Sequence, residues 1–319
     1  MTVEMIVSDK AMRGMGGAPV KLERTWYEAS DRFGAFQTAI HIIPLLFLLA
    51  LATPLWQWGG PLAVVPLVIP VGVLTYKLTI VLHDCAHLTL FRTRRYNRLV
   101  GRLVGFVLGS DYSQFQTMHF LHHRAFGEAI DPQGRDYLGL HEASRARILW
   151  HLLRPLISYN LFKLLSFQPA PAGQRREAAK QSNRLGSLRF VAGTLIAQFF
   201  IVAVATAGGT VWWNALLFPV SAATVALFLS QLRGFCEHIA PVSVPGEAFV
   251  RTHQPNLLDR LLFYGVNFNY HVEHHLYPAV PACRLPELHR IYGDRFHSRD
   301  TMSPSILATV RSRLAQCPS

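Results

Sequence analysis

The sequence predicts an all-α integral membrane protein, with four transmembrane helices in two hairpins and a cytoplasmic helical cap rich in histidine. Three observations lead there. Half of the 319 residues are apolar and only 16% are charged, which is too oily for an average soluble domain. Two runs carry no charge at all, 44 residues between Arg32 and Lys77 and 43 between Arg189 and Arg233. Each is about twice the ~20 residues that cross a bilayer.

Each run also breaks in the middle at turn formers and aromatics: Pro54, Trp56, Trp58, Gly59, Gly60 and Pro61 in the first, Gly208, Gly209, Trp212 and Trp213 in the second. Tryptophan favours the membrane interface, so the runs read as hairpins with spans at about 36–54 and 61–83, then 190–207 and 212–232. The turns inside the hairpins hold no Lys or Arg, whereas residues 84–189 hold sixteen and residues 233–319 hold nine. By the positive-inside rule, both termini and a cap formed by 84–189 and 233–319 are expected in the cytoplasm. Topology thus accounts for the net charge of +12. A docking face for an acidic electron carrier is compatible with it, and nothing else points to nucleic acid.

Residues 1–34 are expected to be a cytoplasmic segment and 35–319 a single membrane domain. The first thirty residues carry Glu4, Asp9, Lys10, Arg13, Lys21, Glu23, Arg24 and Glu28 and lack the apolar stretch of a signal peptide. Two weaker apolar stretches, 99–108 and 148–167, read as interfacial or re-entrant helices, the second being interrupted by Arg154, Pro155 and Lys163. Residues 285–314 read as a polar helical end to the cap. Cys85, Cys236, Cys283 and Cys317 form no CxxC pair and no ferredoxin-like run, which argues against a disulfide framework or an iron–sulfur cluster.

Of fifteen histidines, nine fall in four tight groups: His83 and His87 in HDCAH, His119, His122 and His123 in HFLHH, His238 in CEH, and His271, His274 and His275 in HVEHH. On a helix, residues three and four apart share a face, so each group aims its imidazoles at one point. The second and fourth spans should lift His83, His87 and His238 just past the cytoplasmic interface, on the side where the other two groups lie. Neutral imidazole suits iron, zinc, copper and nickel, and nine such ligands suit two metals better than one. Iron is favoured because a nitrogen-rich cluster without thiolate suits oxygen chemistry, although the residues alone are compatible with zinc. Asp84, Glu237 and Glu273 are candidates to hold imidazole rings in place, with Asp131 and Asp136 behind them. His41, His141, His151, His253, His289 and His297 are single residues, read as packed, solvated or hydrogen-bonded.

HDCAH, HFLHH and NFNYHVEHHLYP resemble the three histidine boxes of the membrane fatty acid desaturase superfamily, and His238 resembles its additional ligand. The resemblance spans roughly residues 36–295, and its most specific part is the apolar–aromatic–Pro sequence of Leu276, Tyr277 and Pro278. It implies four spans, two iron ions and oxygen as co-substrate. The nine grouped histidines would then be the metal ligands, with no catalytic residue beyond them. Some acyl-CoA desaturases of this superfamily place Asn four residues before the isolated histidine, where this chain has Gly234. Asn267 or Asn269 is a candidate substitute, while the short HxxxH first box resembles members whose site is completed by histidine alone.

The activity so implied is insertion of a double bond into a lipid acyl chain drawn from the membrane lipids. Electrons would come from a separate ferredoxin, rubredoxin or cytochrome with its reductase, since no haem motif, ferredoxin run or dinucleotide fingerprint is visible. The alternative within the same chemistry is a hydroxylase or ketolase of a carotenoid, alkane or other lipid. A metal transporter is the rival from another class, but it needs polar groups near the midplane, and these spans offer mainly His41. A zinc hydrolase fits poorly, because HVEHH is not HExxH.

Overall fold

The computed structural model describes residues 20–159, 184–209, 211–240 and 249–317. Helix α1 (Asp31–Ala50) begins where the Ser30 hydroxyl accepts a hydrogen bond from the Phe33 N–H at 3.3 Å, with Asp31 in the first turn. These capping residues start the helix at Asp31, five residues ahead of the predicted span. The chain distorts at Leu51 and continues into α2 (Ala52–Val64), whose helical path breaks at Gly59 and Gly60. Gly60 takes φ 61° and ψ −153°, a conformation that side chains disfavour. A 3-10 turn, Val65–Leu67, leads into α3 (Val68–Ala86).

The second pair of apolar helices starts with α7 (Arg184–Thr206). After Gly208, at φ 79°, a 3-10 turn at Trp212–Leu216 enters α8 (Leu217–Ser221), a π-helical turn at Ala222–Ala226, and α9 (Leu227–His238). The π turn lies three residues after Pro219, which lacks an N–H for the helical ladder. Gly72 of α3 sits against it: a Cβ there would lie 2.5 Å from Val225 Cβ and 3.0 Å from the Ser221 carbonyl. Glycine therefore allows the close approach of these two helical segments.

Among the described residues, four helical stretches, Arg24–Ala50, Ala52–Ala86, Gly186–Thr206 and Trp212–His238, are long and apolar enough to cross a membrane. Ile43, Phe47, Leu195, Ile196 and Phe199 are each more than half exposed on their outer faces, as suits contact with lipid rather than water. The two hairpin turns are tied together at the end remote from the histidines. Thr53 Oγ1 donates to the Ala205 carbonyl at 3.0 Å, Asn214 Nδ2 to Thr53 Oγ1 at 3.2 Å, and Gln57 Nε2 to the Gly208 carbonyl at 3.3 Å.

At the other end, α4 (Arg94–Leu108) buries Asn97, Gly101, Val104 and Gly105 and exposes Arg94, Arg95, Arg98 and Arg102. It turns through Gly109 into α5 (Tyr112–Arg124). Helix α6 (Arg145–Leu153) covers the start of the predicted apolar stretch 148–167, whose last eight residues lie outside the described residues. The remainder comprises α10 (Leu257–Leu262), α11 (His271–Leu276), α12 (Leu285–Phe296) and α13 (Ile306–Ala315). The all-α expectation misses one small element. Strand β1 (Thr252–His253) pairs in parallel with β2 (Met302–Ser303) and ties α9 to the chain's end. At two residues each, the strands are too short for an alternating pattern to show.

Candidate metal centre

The four histidine groups meet. The last turns of α3 bring His83 and His87, α5 brings His119, His122 and His123, the end of α9 brings His238, and α11 brings His271, His274 and His275. All nine are buried. The ring nitrogens of His83, His87, His119, His123 and His274 lie within 4.8 Å of one another, and so do those of His122, His238 and His275. His271 joins the second group through His238, with the two Nε2 atoms 3.1 Å apart. The groups adjoin at His123 and His275, whose ring centroids are 4.6 Å apart.

The orientation of the rings is built from outside. Asp84 Oδ1 lies 3.0 Å from His83 Nδ1, Asp131 Oδ1 lies 2.8 Å from His122 Nδ1, and the Phe249 carbonyl lies 3.2 Å from His238 Nδ1. An Nδ1–H donated to such an acceptor leaves the lone pair on Nε2. Across the cluster Nε2 atoms meet: His83 to His274 at 3.1 Å, His87 to His119 at 2.7 Å, His119 to His123 at 3.0 Å, and His123 to His274 at 3.2 Å. Among the described residues, His122 Nε2 and His275 Nε2 have no hydrogen-bond partner.

Burial, reinforced by neighbouring histidines, holds His87, His119, His123, His271, His274 and His275 well below the ordinary histidine range. These six rings are therefore neutral at physiological pH. Neutral imidazoles aiming lone pairs at shared points repel one another unless a cation lies between them. This donor set fits a pair of transition-metal ions.

The predicted carboxylates divide. Asp84 touches His83, and its second oxygen accepts from Gln37 Nε2 at 2.9 Å. Glu237 Oε2 lies 3.6 Å from His271 Nε2 and 2.9 Å from Arg233 Nε, and the Arg233 guanidinium lies 4.4 Å above the Phe268 ring. The Glu273 carboxylate, in contrast, bonds none of the nine among the described residues. On α11 it projects opposite the three histidines, where its carboxylate accepts from His289, His297 and Thr252. Burial opposes its ionisation, but the bonds from His289 and His297 prevail and hold it down to about 2.

The two asparagines offered for the place left by Gly234 sit beside the third box. Asn269 Nδ2 donates to the His253 carbonyl at 3.0 Å, while Asn267 forms the turn before the third box at φ 63° and makes no side-chain hydrogen bond to a histidine among the described residues. Asp136 packs beside Gly234, its carboxylate 3.4 Å from where a Cβ would stand. Of the single histidines, His41 Nδ1 bonds the Gln37 carbonyl and His253 Nε2 bonds Thr309 Oγ1.

Sequence reasoning missed Gln37. Its one signal is a polar side chain in an uncharged span, one helical turn from His41.

The fatty acid desaturase family model matches residues 59–303. The chain is 29% identical over 237 residues to a sphingolipid delta(4)-desaturase of Drosophila melanogaster, covering 72% of this chain and 65% of that protein. It is 27% identical over 247 residues to a fatty acid desaturase of Bacillus subtilis (strain 168), covering 70% and 66%. It is 29% identical over 224 residues to a sphingolipid delta(4)-desaturase/C4-monooxygenase of Rattus norvegicus, covering 67% and 61%. The chain thus spans just under two thirds of the length of these relatives. The match over most of the chain, on a helical frame that gathers all four histidine groups, shows that the chain belongs to the fatty acid desaturase family.

Proposed function

We propose that the chain is an oxygen-dependent oxidoreductase that inserts a double bond into a lipid acyl chain, with two iron ions held by its nine clustered histidines. The observation that carries this reading is the inward convergence of Nε2 atoms, 2.7–3.2 Å apart, among His83, His87, His119, His123 and His274 and between His238 and His271, while Asp84, Asp131 and the Phe249 carbonyl anchor His83, His122 and His238 at Nδ1. His83, His87, His119, His123 and His274 would hold one ion. His122, His238, His271 and His275 would hold the other, with the Glu237 carboxylate beside them. Bound there, the iron pair supplies, with O2, the oxidising power to take hydrogen from an unactivated C–H bond.

The protein's share is binding, orientation and exclusion of water. Asp84 and Asp131 fix the tautomers of His83 and His122, and Gln37 holds Asp84 in turn. Phe268 lies against His83 with ring centroids 4.8 Å apart, and Phe115 stacks on His119 at 5.8 Å, so apolar surface closes over the rings. Such a shell keeps the histidines neutral and the site dry.

The basic cap and uncharged hairpin turns support a four-span arrangement with both termini and the metal centre on the cytoplasmic side. An apolar substrate would enter from the membrane lipids. A separate ferredoxin, rubredoxin or cytochrome with its reductase would deliver electrons to the basic cap. The names of the relatives point to long-chain lipids, sphingolipids among them. The rat relative's name joins desaturase to C4-monooxygenase, which favours lipid hydroxylation as the second reading.

Expression with a redox partner in a lipid-producing host, followed by mass spectrometry of the lipids, tests the proposal. A product lighter by two hydrogens supports desaturation, and one heavier by an oxygen supports the second reading. The His274→Ala variant should yield neither. No new product from the intact chain under reducing supply would refute both.

A further inference from the structure

Glu273 belongs to the third histidine box by sequence but not to the cluster by geometry. At about 100° per residue, His271, His274 and His275 share one face of α11 and Glu273 points from the opposite face. There it meets His289 on α12 and His297, which ends that helix. His289 Nδ1 and His297 Nε2, the latter at 2.8 Å, both donate to Glu273 Oε1. The three donor atoms lie within 4.8 Å of one another, and the trio shares no residue with the other histidine groups.

We propose that Glu273, His289 and His297 form a third metal site, taking one Zn2+ ion separately from the paired centre. Two imidazoles and a carboxylate, with a fourth position left for water, form a ligand set that suits mononuclear zinc. The partners behind the ligands are already in place. Thr252 Oγ1 donates to the other carboxylate oxygen, Glu273 Oε2, at 2.8 Å, while Thr301 Oγ1 lies 3.3 Å from His297 Nδ1, leaving Nε2 for the ion. Zinc bonds of about 2.0–2.1 Å place tetrahedral ligand atoms a little over 3 Å apart, inside the 4.8 Å within which the trio's donor atoms lie.

An ion entering the site displaces the protons that the two histidines now share with Glu273. It reaches them directly, because the His289 side chain is 27% exposed whereas the box histidines are buried. Once bound, it links α11, α12 and the connection to β2, bracing the helix that presents three of the nine clustered imidazoles. The inference does not depend on what the paired centre holds.

The test is a zinc count per chain. The full chain in detergent is stripped with chelator, refilled with Zn2+, desalted and analysed by elemental mass spectrometry, beside His289→Asn and His297→Asn. The intact chain is expected to hold three ions and each variant two, with the third ion more than about tenfold weaker once a ligand is lost. Three ions in the intact chain support the site even if a variant does not fold. Two in the intact chain, unchanged in either folded variant, overturn it. One in the intact chain and none in the variants keeps this site and shows that the paired centre takes up no zinc under these conditions.

Discussion

Replacing Asp131 with Asn removes the carboxylate that orients His122. Oδ1 of Asp131 accepts from His122 Nδ1 at 2.8 Å and from the Gln133 N–H at 2.9 Å, and Oδ2 accepts from the Tyr137 hydroxyl and from the Gly127 N–H at 3.3 Å. Asparagine offers a single acceptor oxygen. With that oxygen toward His122, the amide NH2 faces Tyr137, whose hydroxyl can turn and accept, and the Gly127 N–H, which cannot. Exchanging a charged for a neutral acceptor costs about 1 kcal/mol, and a buried donor left without a partner costs about 1–3 kcal/mol. The sum is about 2–4 kcal/mol of stability.

At the metal the same change should weaken retention by about 10–100-fold, the usual worth of a ligand's outer partner. It should do so for one ion only, since Asp131 touches the second histidine group. Burial raises the Asp131 carboxyl, but the bonds from His122, Tyr137 and Gln133 prevail and hold it below the ordinary range. Its contribution is therefore whole above about pH 4 and is lost as pH falls through the folded value. Thermal unfolding in detergent and iron release to a chelator, at neutral and acid pH, read both effects. A variant that melts with the parent and keeps both irons equally long would refute the reasoning.

Stripped of metal, the protein should lose stability as pH falls below about 6.5, because the unfolded chain binds protons there that His87, His119, His123, His271, His274 and His275 refuse when folded. Melting scans from neutral to mildly acid pH check this, and a midpoint that rises would contradict it. Gln37→Leu strands Asp84 Oδ2, now bonded at 2.9 Å. It should cost about 1–3 kcal/mol and loosen the ion held by His83, while an unchanged melt and chelator response would exclude the role. Gly72→Ala places a methyl 2.5 Å from Val225 Cβ and should cost about 1–3 kcal/mol by overpacking. Val225→Ala in the same chain should recover part of the loss, and strict additivity of the two changes would argue against direct contact.

The apolar helices and the meeting of the histidines were legible in the sequence for different reasons. An uncharged run twice the length of a bilayer crossing admits few readings, and spacings of three and four on a helix force imidazoles to converge. The supporting shell was harder to read, because its partners meet across the fold. Asp84 is adjacent to His83 in sequence and was a natural candidate, whereas its other partner, Gln37, is 47 residues away on α1. Glu273 looked equivalent to Asp84, but its place on α11 turns it away from its own box and toward His289 and His297. Asn269 ties its loop to β1 through the His253 carbonyl, a contact that sequence spacing does not reveal. Local spacing thus gave the histidine groups that meet, and long-range packing decided what surrounds them.

The most direct measurement is the position of iron in crystals of the iron-loaded protein, read from anomalous scattering at the iron edge. Two peaks are predicted, one among His83, His87, His119, His123 and His274 and one among His122, His238, His271 and His275. A single peak, or iron bound away from these rings, would contradict the paired centre.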